Sequence, residues 1–153
     1  METIEKAVEV TNDLIEINND RAAGFEKAAR ELDDRDVDLR TLFEKSANES
    51  RQFSNELALA ASKFSTGNIE SDKSVAGTLH RAWIDVKATF TANNSESILV
   101  ECERGEDAIK KAYRDALSEG NLPAGLAEVI ARQQESIIAS HDRIKMLRDS
   151  ADK

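Results

Sequence analysis

A chain of 153 residues is one domain by length and is long enough to bury a sizeable core. Charged residues make up 33% and aromatics 5%, with one Pro and six Gly; this suits an all-helical protein and argues against a sandwich or barrel. The net charge of −9 argues against nucleic acid or an anionic membrane as the main partner, because both need a basic surface.

The first helix is predicted over about 3–32, with Thr3 as N-cap and Glu5 in the first turn. Its apolar positions are Ile4, Val8, Ile15, Ala22, Phe25, Ala29 and Leu32. Thr11 and Asn18 complete a heptad seam, with Asn18 at the centre of the face. The run Asp33 to Asp36 is the turn, and Asp36 is a natural cap for the second helix. That helix is predicted over about 37–64, with Leu39, Phe43, Phe53, Leu57, Ala60 and Phe64 on its inner face. Ser46 and Ser50 share that face, and Glu49 lies toward its edge.

The polar run Ser65 to Lys73 reads as a loop. A shorter helix comes next over about 74–91, capped by Ser74, with Val75, Leu79, Trp83, Val86 and Phe90 as its stripe. Ala92 to Ser97 is a second loop. The next helix, over about 96–119, places Ile98, Cys102, Ile109, Ala112 and Ala116 on one face. Gly105 and Glu106 interrupt that face. A mid-helix glycine costs about 1 kcal/mol against alanine, and an inward carboxylate is costly unless paired. Gly120 and Asn121 end this helix, and Pro123 opens the last one, over about 123–150, within its first turn. Leu126, Ile130, Ile137, Ile144, Leu147 and Ala151 point inward there, with Gln133 and His141 on or beside the stripe.

Short turns join the first helix to the second and the last two to each other, so each pair is antiparallel. The connection from Ser65 to Ser97 contains its own helix, about 27 Å long at 1.5 Å per residue, and with its loops it can travel the length of a bundle. The expectation is an all-α ferritin-like four-helix bundle, one domain over 1–153, with a helix-containing crossover between the second and third long helices.

Four segments carry a resemblance: Leu14 to Ala29, Ser74 to Lys87, Glu101 to Tyr113 and His141 to Asp149. Together they resemble a bacterial family of uncharacterised ferritin-like four-helix-bundle proteins, described as a domain of unknown function. The resemblance implies the fold and transfers no activity.

Ferritin-like di-metal sites take a Glu from each of two helices and a Glu-x-x-His from each of the other two. Here the first helix offers Asn18, and the second offers Glu49 with Gln52 where His is wanted. The third offers Glu106, with Glu103 to one side, and the last offers Gln133, Gln134 and His141 without a Glu-x-x-His. The first reading is therefore a structural layer in which Asn18, Ser46, Ser50, Glu106, Gln133 and His141 hydrogen-bond at mid-bundle and fix helix register. The competing reading is a metal site built on Glu49, Glu106 and His141, holding iron or manganese in an oxidase or storage protein.

Cys102 reads as a small buried core residue, and His80 as a solvated surface histidine. Tyr113 either donates a hydrogen bond into the core or packs there. The run Glu101, Glu103, Glu106 and Asp107 reads as a salt-bridged face compensated by Arg104, Lys110 and Lys111. A single cysteine rules out an intrachain disulfide and suits a reducing compartment. The N-terminal stretch does not read as a signal peptide, and no apolar run approaches the roughly 20 residues of a membrane span. The expected protein is small and cytoplasmic. It is non-enzymatic, without a cofactor, and acts by self-association or through a protein partner.

Overall fold

The computed structural model describes residues 2–32, 34–63, 95–118, 120 and 122–151. The helix expected over 74–91, with His80 and Trp83, lies outside the described residues, as do Phe64 and the loop before that helix. Among the described residues the chain is all helical: α1 (Glu2–Glu31), α2 (Val37–Ser62), α3 (Ser95–Ser118) and α4 (Ala124–Ala151). Neither α1 nor α2 contains a proline, and both are dominated by residues that favour helix.

The inward seam of α1 runs through Ala7, Thr11, Leu14, Asn18, Arg21, Phe25, Ala28 and Leu32, all buried. It alternates steps of four and three, the heptad spacing. It shares Thr11, Asn18, Phe25 and Leu32 with the expected face, whose Ala22 and Ala29 are also buried beside it. However, the helix is rotated so that the line Ala7–Leu14–Arg21–Ala28 replaces Val8 and Ile15, which are only half-buried. On α2 the buried line is Phe43, Ser46, Ser50, Phe53 and Leu57. Phe25 and Phe43 meet at a ring-centroid separation of 5.4 Å, tilted by 45°, which ties α1 to α2.

The junctions differ from their expected chemistry in three places. Thr3 lies inside α1 instead of capping it. Asp36 stands at the N-cap of α2, but its side chain makes no capping bond; its carbonyl accepts the Arg40 N–H at 2.9 Å. Arg40 closes the turn by donating to the Ala29 and Leu32 carbonyls at 3.3 and 3.2 Å, satisfying acceptors that the end of α1 leaves open. Pro123 stands just ahead of α4 and accepts the Ala127 N–H at 2.9 Å. Gly120, at φ +77°, takes the left-handed turn after α3 that glycine adopts without strain.

The packing forms a ring in which α1 lies against α2 and α3, and α4 lies against α2 and α3. Cross-helix pairs give the directions. Asn18 with Ser50 and Ile15 with Ser54 make α1 and α2 antiparallel. Tyr113 with Gln133 and Glu106 with Ser140 make α3 and α4 antiparallel. Gln133 beside Phe53, and Ser140 beside Glu49 and Ser46, make α2 and α4 antiparallel. It follows that α1 runs parallel to its diagonal partner α4, and α2 parallel to α3.

Two substitutions test this packing. Phe43→Ala is expected to lower unfolding free energy by about 3–5 kcal/mol, read by urea denaturation, because a fully buried ring leaves a cavity. Gly120→Ala should cost about 1 kcal/mol from backbone strain alone, since the nearest atom to an added Cβ is 3.9 Å away.

Candidate functional site

At mid-bundle the seam of α1 carries an arginine where a hydrophobic residue would ordinarily stand. Arg21 is 0% exposed. A guanidinium has five N–H donors in a rigid planar fork, and each finds an acceptor here. Nε donates to Glu106 Oε1 at 2.6 Å. NH1 donates to Glu49 Oε1 at 3.0 Å and to Ser50 Oγ at 2.8 Å. NH2 donates to Glu106 Oε2 at 3.3 Å and to Ser140 Oγ at 2.9 Å. The contact with Ser140 crosses the diagonal of the ring, so this one side chain joins all four helices. Its charge also lies over the Phe25 ring, 5.2 Å from the centroid.

Burial by itself would lower the pKa of the Arg21 guanidinium. The carboxylates of Glu106 and Glu49 outweigh that and hold it above its ordinary value. Glu106 is itself 0% exposed, and its second oxygen also accepts from Ser140 Oγ at 2.5 Å. Glu49, at the edge of α2, keeps 31% of its side chain exposed.

A chain of hydrogen bonds leads away from the ion cluster with one consistent sense. Ser50, which accepts from Arg21, donates to Asn18 Oδ1 at 2.8 Å. Asn18 Nδ2 donates to the Leu14 carbonyl at 2.9 Å and to Tyr113 Oη at 2.8 Å. Tyr113 donates to Gln133 Oε1 at 2.6 Å. Gln133 Nε2 donates to the Phe53 carbonyl at 3.3 Å and to Glu56 Oε1 at 3.0 Å. Every donor of Asn18, Tyr113 and Gln133 is used. The chain begins at the buried cation and ends at the carboxylate of Glu56.

Of the residues singled out from the sequence, Asn18, Ser50, Glu49, Glu106 and Gln133 join this network. Ser46 is buried but makes no hydrogen bond among the described residues. His141 does not join. Its ring faces the α3–α4 seam, with Nε2 2.5 Å from Asp107 Oδ1 and Nδ1 3.3 Å from Asp142 Oδ1. The neighbouring Ser140 supplies the α4 contact instead. The acidic run of α3 likewise finds partners beyond its own helix: Glu103 pairs with Arg148 of α4, and Asp107 with His141. Glu101 pairs locally with Arg104 at 3.2 Å.

Arg21 and Ser140 lie outside the set of residues expected from the sequence. Arg21 does carry a signal, because it falls seven residues from Leu14 and from Ala28 on one heptad line. Ser140 carries none.

For a metal, the arrangement offers Glu49 and Glu106 without a histidine, and the Arg21 guanidinium stands between them. That guanidinium is ion-paired with both carboxylates. Among the described residues, no group of three or more His, Cys, Asp or Glu side chains is arranged to hold an ion. Cys102 is fully buried, and burial first, then Glu106 and Glu101, push its thiol well above its ordinary value. Burial likewise raises the Tyr113 phenol.

Three outcomes are expected. Arg21→Met should destabilise by about 3–5 kcal/mol, because it leaves Glu106 buried and unpaired, whereas Arg21→Met with Glu106→Leu should recover most of that loss in the same urea titration. The unfolded chain releases the Cys102 and Tyr113 protons near their ordinary values of 9.0 and 10.0, while the folded chain retains them. Their contribution is thus fully present below about pH 9 and is lost as pH rises above it, measurable as a falling thermal midpoint. Cys102 should also resist alkylation at pH 8 until the chain is denatured.

No curated protein matches the chain. Residues 6–119, from the start of α1 to just past α3, match the family described as Domain of unknown function (DUF2383), and with most of its length covered the chain belongs to that family.

Proposed function

We propose that the protein is a non-enzymatic helical module of the cytoplasm that acts through its outer surface, by self-association or by binding a protein partner. The observation that carries this reading is the saturation of Arg21. With its five donors engaged, Arg21 offers none to a substrate, and among the described residues Glu106 is committed to it through both oxygens. The buried thiol and phenol are held neutral, away from the range where they would act as nucleophile or base. No described helix is long and apolar enough to cross a membrane.

The same reading includes the ferritin-like arrangement. Its support is directional: α2 and α3 run parallel on one diagonal, so Ser62 at the end of α2 and Ser95 at the start of α3 lie at opposite ends of the bundle. A helix of 26 residues is about 39 Å long, a span the intervening residues can cover.

Leu59 and Met146 are the large apolar side chains most open to solvent among the described residues, at 67% and 70%. Self-association is expected to appear as a mass that rises with protein concentration in light scattering. A variant carrying Leu59→Ser and Met146→Ser should reduce that rise without changing helix content. A mass independent of concentration, together with about one iron or manganese ion retained per chain and lost in Glu106→Ala, would instead favour metal storage or oxidase chemistry.

A further inference from the structure

Between α2 and α4, one turn from the buried cluster, small side chains leave an opening. Ser46 of α2 faces Ser136 and Ser140 of α4, and these line a cleft of about 220 Å³. Lys45 and Arg143 also line it, and Glu49 links it to the buried cluster.

Several polar groups here have no partner among the described residues. Ser46 is only 5% exposed, yet its hydroxyl has no hydrogen-bond partner among the described residues. Ser136, Lys45 and Arg143 likewise make no hydrogen bond or ion pair among them. Glu49 gives Oε1 to Arg21, and among the described residues Oε2 has no donor. Among the described residues the enclosed side-chain polar atoms without a hydrogen-bond partner are Asn12 Oδ1 and Glu101 Oε2, so the Ser46 hydroxyl is open to the cleft and can take a partner from solvent.

The charges set what that something is. Arg21 supplies one positive charge against the two carboxylates of Glu49 and Glu106, so the cluster carries one excess negative charge. Glu106 holds the guanidinium through both oxygens, so the excess is borne by Glu49, the carboxylate at the cleft. Two cations that make no ion pair among the described residues, Lys45 and Arg143, lie in the same lining. A lone anion would meet Glu49, and a lone cation would meet Lys45 and Arg143. A molecule with an ammonium at one end and a carboxylate at the other satisfies both.

We propose that the α2–α4 cleft binds a small amino-acid zwitterion. Its ammonium donates to Glu49 Oε2 and to the hydroxyls of Ser46 and Ser136, and its carboxylate accepts from Lys45 and Arg143. No bond is made or broken, so this is a recognition site. It goes beyond the surface role proposed above and stands independently of it. The competing arrangement is internal: Lys45 lies four residues before Glu49 and can fold onto it, closing the site.

The test is a titration of the full ¹⁵N-labelled chain with glycine, β-alanine and 4-aminobutyrate, which increase the separation between the two charges. Acetate and ethylamine serve as single-charge probes. Saturable shifts confined to residues 42–49 and 136–143 are expected, with at least one zwitterion bound about tenfold more tightly than either single-charge probe. Arg143→Ala lies outside the buried cluster and should weaken binding about tenfold at an unchanged melting temperature. Glu49→Gln should abolish binding, with circular dichroism confirming the fold. Absence of saturable shifts for all three zwitterions overturns the proposal, as does equal binding of ethylamine. Binding that survives in both variants overturns it as well.

Discussion

The fold depends on the full engagement of one guanidinium. A buried arginine is tolerated only when its charge is matched and its donors are satisfied, because each unpaired group inside the bundle carries its full desolvation cost. Arg21 meets that condition with acceptors from α2, α3 and α4. The fork is rigid, so the acceptors must sit at fixed positions. A shift of one helix by a residue would rotate Glu106, Ser50 or Ser140 out of reach. Lysine at this position could not substitute, having three donors and no planar fork. The network therefore specifies register more than it adds net stability, in keeping with the small net contribution of buried ion pairs.

The polar chain that leaves the cluster extends the same constraint along the bundle. The donors of Ser50, Asn18, Tyr113 and Gln133 all point the same way, from Arg21 toward Glu56. Amide and hydroxyl dipoles aligned between a cation and an anion reinforce one another in a low-dielectric interior. Small residues make room for this. Serines at positions 50 and 140 place an oxygen near the backbone, where a longer side chain would displace the guanidinium. The family match ends just past α3, whereas Ser140 and Gln133 come from α4, so the network reaches beyond the matched region.

Closing the centre has consequences for the rest of the molecule. With the inner charges committed, Ser46, Ser136, Lys45 and Arg143 at the cleft between α2 and α4 are left without hydrogen bonds or ion pairs among the described residues. The inner and outer features meet at Glu49, which gives one oxygen to Arg21 and also lines the cleft.

Periodicity alone determined the all-helical class and the placement of α1 to α4, because a 3.6-residue repeat of apolar positions survives without knowledge of the neighbours. It also marked Asn18, Ser50, Glu106 and Gln133, since a polar residue on an apolar stripe stands out wherever the stripe is clear. Arg21 escapes that kind of reading because a long charged side chain ordinarily reaches solvent from the margin of a stripe. A rotation of α1 of less than one residue step brings the line Ala7–Leu14–Arg21–Ala28 to the centre. The choice between Ser140 and His141 has the same origin. Adjacent residues differ by about 100° around a helix, and the rotation of α4 comes from packing against α2 and α3 together. Tertiary structure therefore decided which polar residues face each other, because facing is a property of helix pairs and no single helix encodes it.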